Sequence, residues 1–545
     1  MTGSPNGSAA GPVSAFNRPT PRGGGAVLVA TGILLSRIMG FVRTRAFTHF
    51  LGTSDAADAF SAAILIPNFL QNLFGEGVLS ASFIPVYAKL IAEGDTEEAG
   101  RVAGAVFSLL ALVATVGVVV GVLATPHLIV LLAPGFIGAK RELTIRLVQI
   151  VFPGVGLLVI SAWCLGILNS HGRFFLSYAS PVAFNLVMIA ALLGFGPRVA
   201  QANLVIWVAW ASVAGSALQV AVQLPALSRL ERKLRISLGV RTRNVRIVLA
   251  NFFPVFLGRG VVQISGYVDQ WLASFIIGGA VAVLGYAQNV SMLPISLFGM
   301  AIAASELPAM SAAVGGEAEI ASEIRERLDG GLRRIAFFVI PSAAAFLLLG
   351  DIIAGVLYQS GQFNRDGTVW VWGVLAGSAV GLLAGTMGRL YSSAFYAQRD
   401  TTTPLKFALL RVALTLGLGY VAALLLPQWL GIAPKWGVAG LTASAGIAGW
   451  IEFALLRRST NRRIGTTGVP LARIGVLWAA AIAAALPALG VKLALGSARP
   501  VVLAFVALPL FAIAYLFLTN RARVPEAADF IRRIPRLIRR TQEKG

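Results

Sequence analysis

Cysteine is almost missing from this sequence: one residue, Cys164, in 545. That excludes an intrachain disulfide and any cysteine-ligated metal cluster, and its apolar surroundings mark Cys164 as a core residue. Histidine is nearly as scarce, since only His49, His127 and His171 occur, at spacings that make no metal site. No Walker loop, dinucleotide fingerprint or nucleophile elbow is present, so the sequence carries no enzyme signature and calls for no cofactor. Acidic residues are few as well, 23 against 45 Lys and Arg, and charged residues make up only 12%. In a soluble protein the resulting charge of +22 would suggest nucleic acid. Here the basic residues follow a membrane topology, so no nucleic-acid partner is expected. The first 24 residues lack the apolar centre and cleavage site of a secretory signal and are expected to form a disordered cytoplasmic tail. The first membrane helix is then expected to act as an uncleaved insertion signal.

What is abundant is apolar surface: 57% hydrophobic residues and a mean hydropathy of +0.79. Stretches near the ~20 residues needed to cross a bilayer recur along the chain, and in lipid each must be a helix that satisfies its own backbone. Hydropathy and turn residues predict an all-α polytopic membrane protein of about fourteen spans: 25–49, 56–88, 100–131, 143–169, 176–197, 203–226, 245–277, 281–311, 332–358, 368–397, 404–426, 436–457, 470–494 and 499–520. With the N-terminus inside, cytoplasmic segments carry 31 basic residues and outer segments eight, among them Lys140, Arg365 and Lys492. That bias is the positive-inside pattern and places both termini in the cytoplasm.

Prolines and glycines repeat at nearly constant offsets. Pro67 and Pro294 lie 227 apart, Pro85 and Pro308 223, Gly135 and Gly361 226, and Pro181 and Pro404 223. This predicts two six-helix bundles, 25–226 and 245–457, related by an axis along the membrane normal, then a helix pair over 470–520. The basic tail 521–545 sets Phe530, Ile531, Ile534, Leu537 and Ile538 among five arginines, the pattern of an amphipathic helix on an anionic leaflet.

Ionisable residues inside the spans are costly in lipid and therefore mark function. The basic ones are Arg37, Arg43, Arg45, Arg259, Arg389 and Arg411, and the acidic ones include Asp58, Glu76, Asp269 and Glu306. Arg37 lies about twelve residues into its helix, roughly 18 Å deep at 1.5 Å per residue, too deep to reach the interface easily. Guanidinium groups around one cavity suit a large anion such as pyrophosphate, and Arg37, Arg259 and Arg389 are expected to share that cavity. Asp269 is expected to be paired, protonated or bound to a cation. By depth, Arg43 and Arg45 can reach Asp58 or Asp269 to form an outer gate.

Several motifs resemble the MurJ/MviN family: SRIMGFVR (36–43), DAFSAAILIPNFLQNLFGEGVLSASFIPVYA (58–88), LLAPGF (131–136), GILNSHGRF (166–174), YQSGQF (358–363) and FYAQRDTTTP (395–404). They run in order through most of 25–460. The resemblance implies a lipid II flippase working by alternating access in the bacterial inner membrane, with two bundles around a cationic cavity and two further helices that receive a lipid tail. A flippase for another polyprenyl-linked glycan is the alternative, and a small-molecule antiporter fits less well because the first helix offers arginines rather than acids. The implied partners are an undecaprenyl-pyrophosphate-linked glycolipid, membrane lipids and cell-wall synthesis proteins. Coupling is expected to a sodium ion, a proton or the membrane potential, with Asp269 as the candidate ion site. Carried over by motif, Ser36, Arg37, Arg43, Asp58, Asn68 and Glu76 look like cavity and gate residues, and Arg389 stands where a basic cavity residue is usual. Asp269 is added to the gate by its depth, and Asn289 to the cavity together with Arg45 and Arg259, charges that the motif does not call for. Leu65 and Gln71 stand where relatives place basic residues, and Gln288, Asn289 and Met292 replace further charges.

Overall fold

The computed structural model describes residues 24–74, 76–231, 242–496 and 499–532. The regular structure of these residues is helical throughout. In order they form α1 (Gly24–Leu51), α2 (Asp55–Phe74), α3 (Glu76–Ser82), α4 (Ile84–Ala92), α5 (Thr96–Leu132), α6 (Gly138–Ser170), α7 (Phe174–Ala179), α8 (Pro181–Phe195) and α9 (Gln201–Leu230). Then follow α10 (Arg243–Ser274), α11 (Ala280–Pro294), α12 (Ala301–Ser311), α13 (Glu317–Leu348), α14 (Gly350–Tyr358), α15 (Arg365–Ala397), α16 (Thr402–Tyr420), α17 (Leu426–Trp429), α18 (Gly437–Ile464), α19 (Leu471–Ala494) and α20 (Pro500–Arg521).

Among the described residues, eleven helical stretches are long and apolar enough to cross a membrane. The other three expected spans, 25–49, 56–88 and 245–277, are also helical, in α1, in α2 to α4 and in α10. Two expected spans are interrupted. Pro85 opens α4 and cannot donate to the turn before it, so 56–88 is not one continuous helix. The span 332–358 breaks at Leu349 and lengthens at its other end, where α13 begins at Glu317.

Local chemistry sets several helix starts. The Asp95 carboxylate accepts from the Glu98 N–H ahead of α5, and Asn364 Oδ1 accepts from the Gly367 N–H at 3.0 Å ahead of α15. Close packing relies on small residues, because lipid supplies no hydrophobic drive between helices. Where α15 meets α18, Gly381 and Gly446 face each other so closely that a Cβ on either would strike the other's backbone. Large apolar side chains instead point outward, among them Leu123, Phe505 and Phe517.

In the first part of the chain α6 packs against α2, α5 and α9, while α1 leans on α7 and α8. In the second, α15 is central, against α11, α13 and α18. Helix α10 touches both groups, lying on α2, α3 and α5 as well as α16 and α18. The pair α19 and α20 packs on α13 and α14, anchored by the Tyr515 hydroxyl, which donates to the Phe337 carbonyl at 2.8 Å. Helical structure resumes over 525–532, with the Phe530 ring edge-on to Phe338. The rest of the expected amphipathic tail lies outside the described residues.

Candidate functional site

Two features define the site: a clamp that closes one end of the molecule and a chain of polar cavities beneath it. The clamp joins the ends of α1, α2 and α6 to those of α10, α11 and α14. Its centre is Asp58, in the first turn of α2 and fully buried. One carboxylate oxygen accepts from the Gly279 N–H at 2.7 Å and from Lys140 Nζ at 2.5 Å, and the other accepts from the Ala282 N–H at 2.8 Å. Gly279 is the N-cap of α11 and has no side chain to bond the orphan N–H groups of that helix. Asp58 does so from across the molecule, where the positive end of the helix dipole favours a carboxylate. Lys140 also pairs with Asp55 at 2.9 Å and sits 4.2 Å from the Phe136 ring centroid.

Further contacts seal this end. Arg45 donates to the Val356 carbonyl at 2.5 Å, the Gln362 N–H donates to the His49 carbonyl at 2.8 Å, and the Tyr286 hydroxyl donates to the Gly52 carbonyl at 3.0 Å. The two repeat glycines behave reciprocally. Gly135 lies on the end of α10 and Gly361 on the end of α1, each so close that an added Cβ would collide with a carbonyl oxygen, of Ser274 and His49 respectively.

Below the clamp lies a cavity of about 260 Å³ between the two groups of helices, with Arg43, Ser61, Asn68, Gln270, Gln288 and Asn289 in its wall. Through Arg43 and Asn68 it adjoins a cavity of about 310 Å³ within the first group. Through Gln288 it adjoins one of about 190 Å³ within the second, lined by Asp269, Ser291, Arg389, Arg411 and Thr442. Arg43 has no carboxylate partner among the described residues, and its guanidinium lies 5.8 Å from the Phe184 ring centroid. Arg411 pairs with Glu452 at 3.1 Å. Asp269 feels the Arg411 charge, yet its buried Oδ1 has no hydrogen-bond partner among the described residues. Among the described residues no three acidic, histidine or cysteine side chains group as they would around a metal ion.

The expected site residues therefore separate. Arg43, Asn68, Asn289 and Arg389 line the cavities. Arg45 belongs to the clamp instead, and Arg37 is exposed on α1, with Ser36 half-buried beside it. The expected pairing of Arg43 with Asp58 is corrected, since Asp58 is held by Lys140 and the α11 backbone. Asp269 faces Arg411 rather than Arg43. The side chains of Glu76 and Arg259 lie outside the described ones. Lys140 and Tyr286 were not singled out in the sequence. Lys140 reads there as an ordinary outer-loop cation, and only the fold brings it to Asp58.

A profile of the family described as lipid II flippase MurJ matches residues 47–511. A probable lipid II flippase MurJ of Rhizobium tropici is 32% identical over 449 residues, 80% of either chain. The lipid II flippase MurJ of Burkholderia cenocepacia is 29% identical over 446 residues, 80% of this chain and 84% of its own. Among solved structures, a lipid II flippase MurJ in an inward closed conformation superposes with a TM-score of 0.72 at 22% identity, over 91% of this chain and 98% of that one. An inward-facing multidrug resistance transporter of the MATE family superposes at 0.63 and 17% identity, over 80% of this chain and 98% of that one.

Proposed function

The chain belongs to the lipid II flippase MurJ family, and from that premise we propose that it carries lipid II, the undecaprenyl-pyrophosphate-linked peptidoglycan precursor, from the inner to the outer leaflet of the bacterial cytoplasmic membrane. It is a transporter rather than an enzyme, and no covalent step is required of it. The observation that supports this reading best is Arg43, a guanidinium without a carboxylate partner among the described residues, at the junction of cavities that end beneath a closed clamp. A planar cation left uncompensated in a largely apolar cavity favours an anion that brings its own charge, and pyrophosphate fits the bidentate fork. Arg389, open to the adjoining cavity, is a second contact for the same anion.

By the positive-inside pattern the clamp faces outward. Opening it and closing the opposite end would pass the headgroup across, while the undecaprenyl chain stays in lipid beside α19 and α20. Asp269 is the candidate coupling site. A single carboxylate with one unpartnered oxygen suits a proton or a monovalent cation better than a divalent metal. Transport by reconstituted vesicles that ignored sodium, pH and membrane potential alike would remove Asp269 from that role.

The test of the function is complementation. Cells depleted of their own lipid II flippase and expressing this chain should survive and expose lipid II on the outer face of the membrane. Absence of rescue at confirmed expression would transfer the assignment to another polyprenyl-linked glycan.

A further inference from the structure

The cavity of about 310 Å³ enclosed by α2, α6, α8 and α9 has walls of a different chemistry from the rest of the site. Among the described residues Arg43 is its one ionisable group, and its other polar groups are amides and hydroxyls: Asn68, Gln71, Asn185, Ser212, Ser216 and Gln219. Their hydrogen-bonding is lopsided. The Ser212 and Ser216 hydroxyls spend their protons on the Ala209 and Ser212 carbonyls, at 2.7 and 2.8 Å, which leaves their oxygens as acceptors. Gln219 Nε2 donates to Ser161 Oγ at 2.9 Å, so the amide is fixed with its carbonyl oxygen accepting nothing from the described residues. Asn185, only 5% exposed, donates through Nδ2 to the Pro181 carbonyl at 2.9 Å, and its buried Oδ1 has no partner among the described residues. An orphan acceptor of this kind is costly, and an isosteric apolar residue would avoid that cost.

We propose that this cavity is a sugar subsite, which reads the hydroxyl and acetamido groups of the residue attached to the pyrophosphate while Arg43 holds the phosphate edge. The inference rests on the flippase reading and adds to it where the neutral part of the headgroup binds. An acceptor-rich wall seeks O–H and N–H donors, which an N-acetylated sugar supplies around its rim. Phe184 and Met188 offer an apolar surface for the C–H face of a ring. The volume is at the lower end of the ~300–1,000 Å³ of small-molecule sites, enough for one or two rings and too small for a whole glycopeptide headgroup.

The test uses the full chain in nanodiscs, titrated with polyprenyl diphosphate, with the same lipid bearing one N-acetylhexosamine, and with the lipid bearing one plain hexose. Wild type should bind the N-acetylhexosamine lipid most tightly and the bare diphosphate least. Asn185→Leu and Gln71→Leu should each lose roughly three- to tenfold of the gain due to the sugar and keep the affinity for bare diphosphate. Asn185→Leu should also melt no lower than wild type, because it removes an unpaired acceptor. Arg43→Gln should weaken all three lipids by a common factor. Retention of the full sugar-dependent gain in both leucine variants, or equal weakening of the bare diphosphate, overturns the subsite and leaves the flippase reading standing. A wild type that binds none of the three lipids sinks the flippase reading, and the subsite with it.

Discussion

Asp58 and Lys140 form the most consequential pair of residues in the molecule, because the carboxylate is fully buried and the lysine side chain only 15% exposed. Removing one partner of such a pair leaves the other charge uncompensated, at a cost on the order of 3 kcal/mol. Lys140→Met should therefore lower the thermal midpoint of the purified protein, and adding Asp58→Asn should recover part of the loss. If the double variant is less stable than Lys140→Met, the pair is not what holds this end together. A second residue-scale device lies at the opposite end of the molecule. The Tyr87 hydroxyl donates to Glu231 at 2.5 Å and lies 3.0 Å from His171 Nε2. Burial depresses the His171 pKa below its ordinary 6.5, against a smaller upward pull from Glu231. The unfolded chain then takes up this proton more readily than the folded one. Stability from the neutral imidazole is present above that value and is lost as the pH falls through it. The melting temperature should drop between about pH 7.5 and about pH 5.5, and His171→Asn should flatten that part of the profile. An identical slope in the variant would clear His171 of responsibility.

At the scale of elements, the reciprocal glycines carry a prediction that follows from space alone. A methyl group at Gly135 or Gly361 meets a backbone carbonyl on the first helix of the opposite group, and backbone cannot swing aside as a flexible side chain can. Gly361 also has φ +54°, so alanine there is strained as well as crowded. Gly135→Ala and Gly361→Ala should each loosen the clamp, seen as faster hydrogen exchange at 274–282 and at 46–52 respectively. Unchanged exchange in both variants would mean that these loops do not set the closed state. Much at this scale was legible in the sequence, since every span expected from hydropathy and proline placement falls on helical residues, although the first half of α13 lies outside those spans. Interruptions at Leu349 and before α4 were less legible, because a break inside a long apolar run changes composition hardly at all. Azimuth was harder still. The depth of Arg37 along α1 could be counted from the sequence, but a helix apolar on all sides does not reveal which face meets the cavity. Arg43, six residues further on, lines it.

For the whole molecule, the question is which contacts exist in one state only. The Lys140 to Asp58 bridge joins α6 to α2 within one group of helices and can persist when the groups separate. The bonds from the Gly279 and Ala282 N–H groups to Asp58 cross between groups and cannot. Only the second kind shifts the equilibrium between closed and open clamps. Hydrogen bonds to a charged group contribute about 1.5–3 kcal/mol, so losing this cap should move the closed-to-open ratio by roughly ten- to a hundredfold. Asp58→Ala should therefore make a cysteine at Asn289, in the cavity below the clamp, more reactive toward an impermeant maleimide added from outside. Cys164→Ala removes the native thiol from the assay. Arg43→Glu, which alters no contact of the clamp, should leave that reactivity near the wild-type level although transport fails. The two variants thus separate gating from substrate binding. Equal labelling of Asp58→Ala and wild type would place the gate elsewhere, whereas an increase in Arg43→Glu alone would restore the pairing of Arg43 with Asp58 that the sequence suggested.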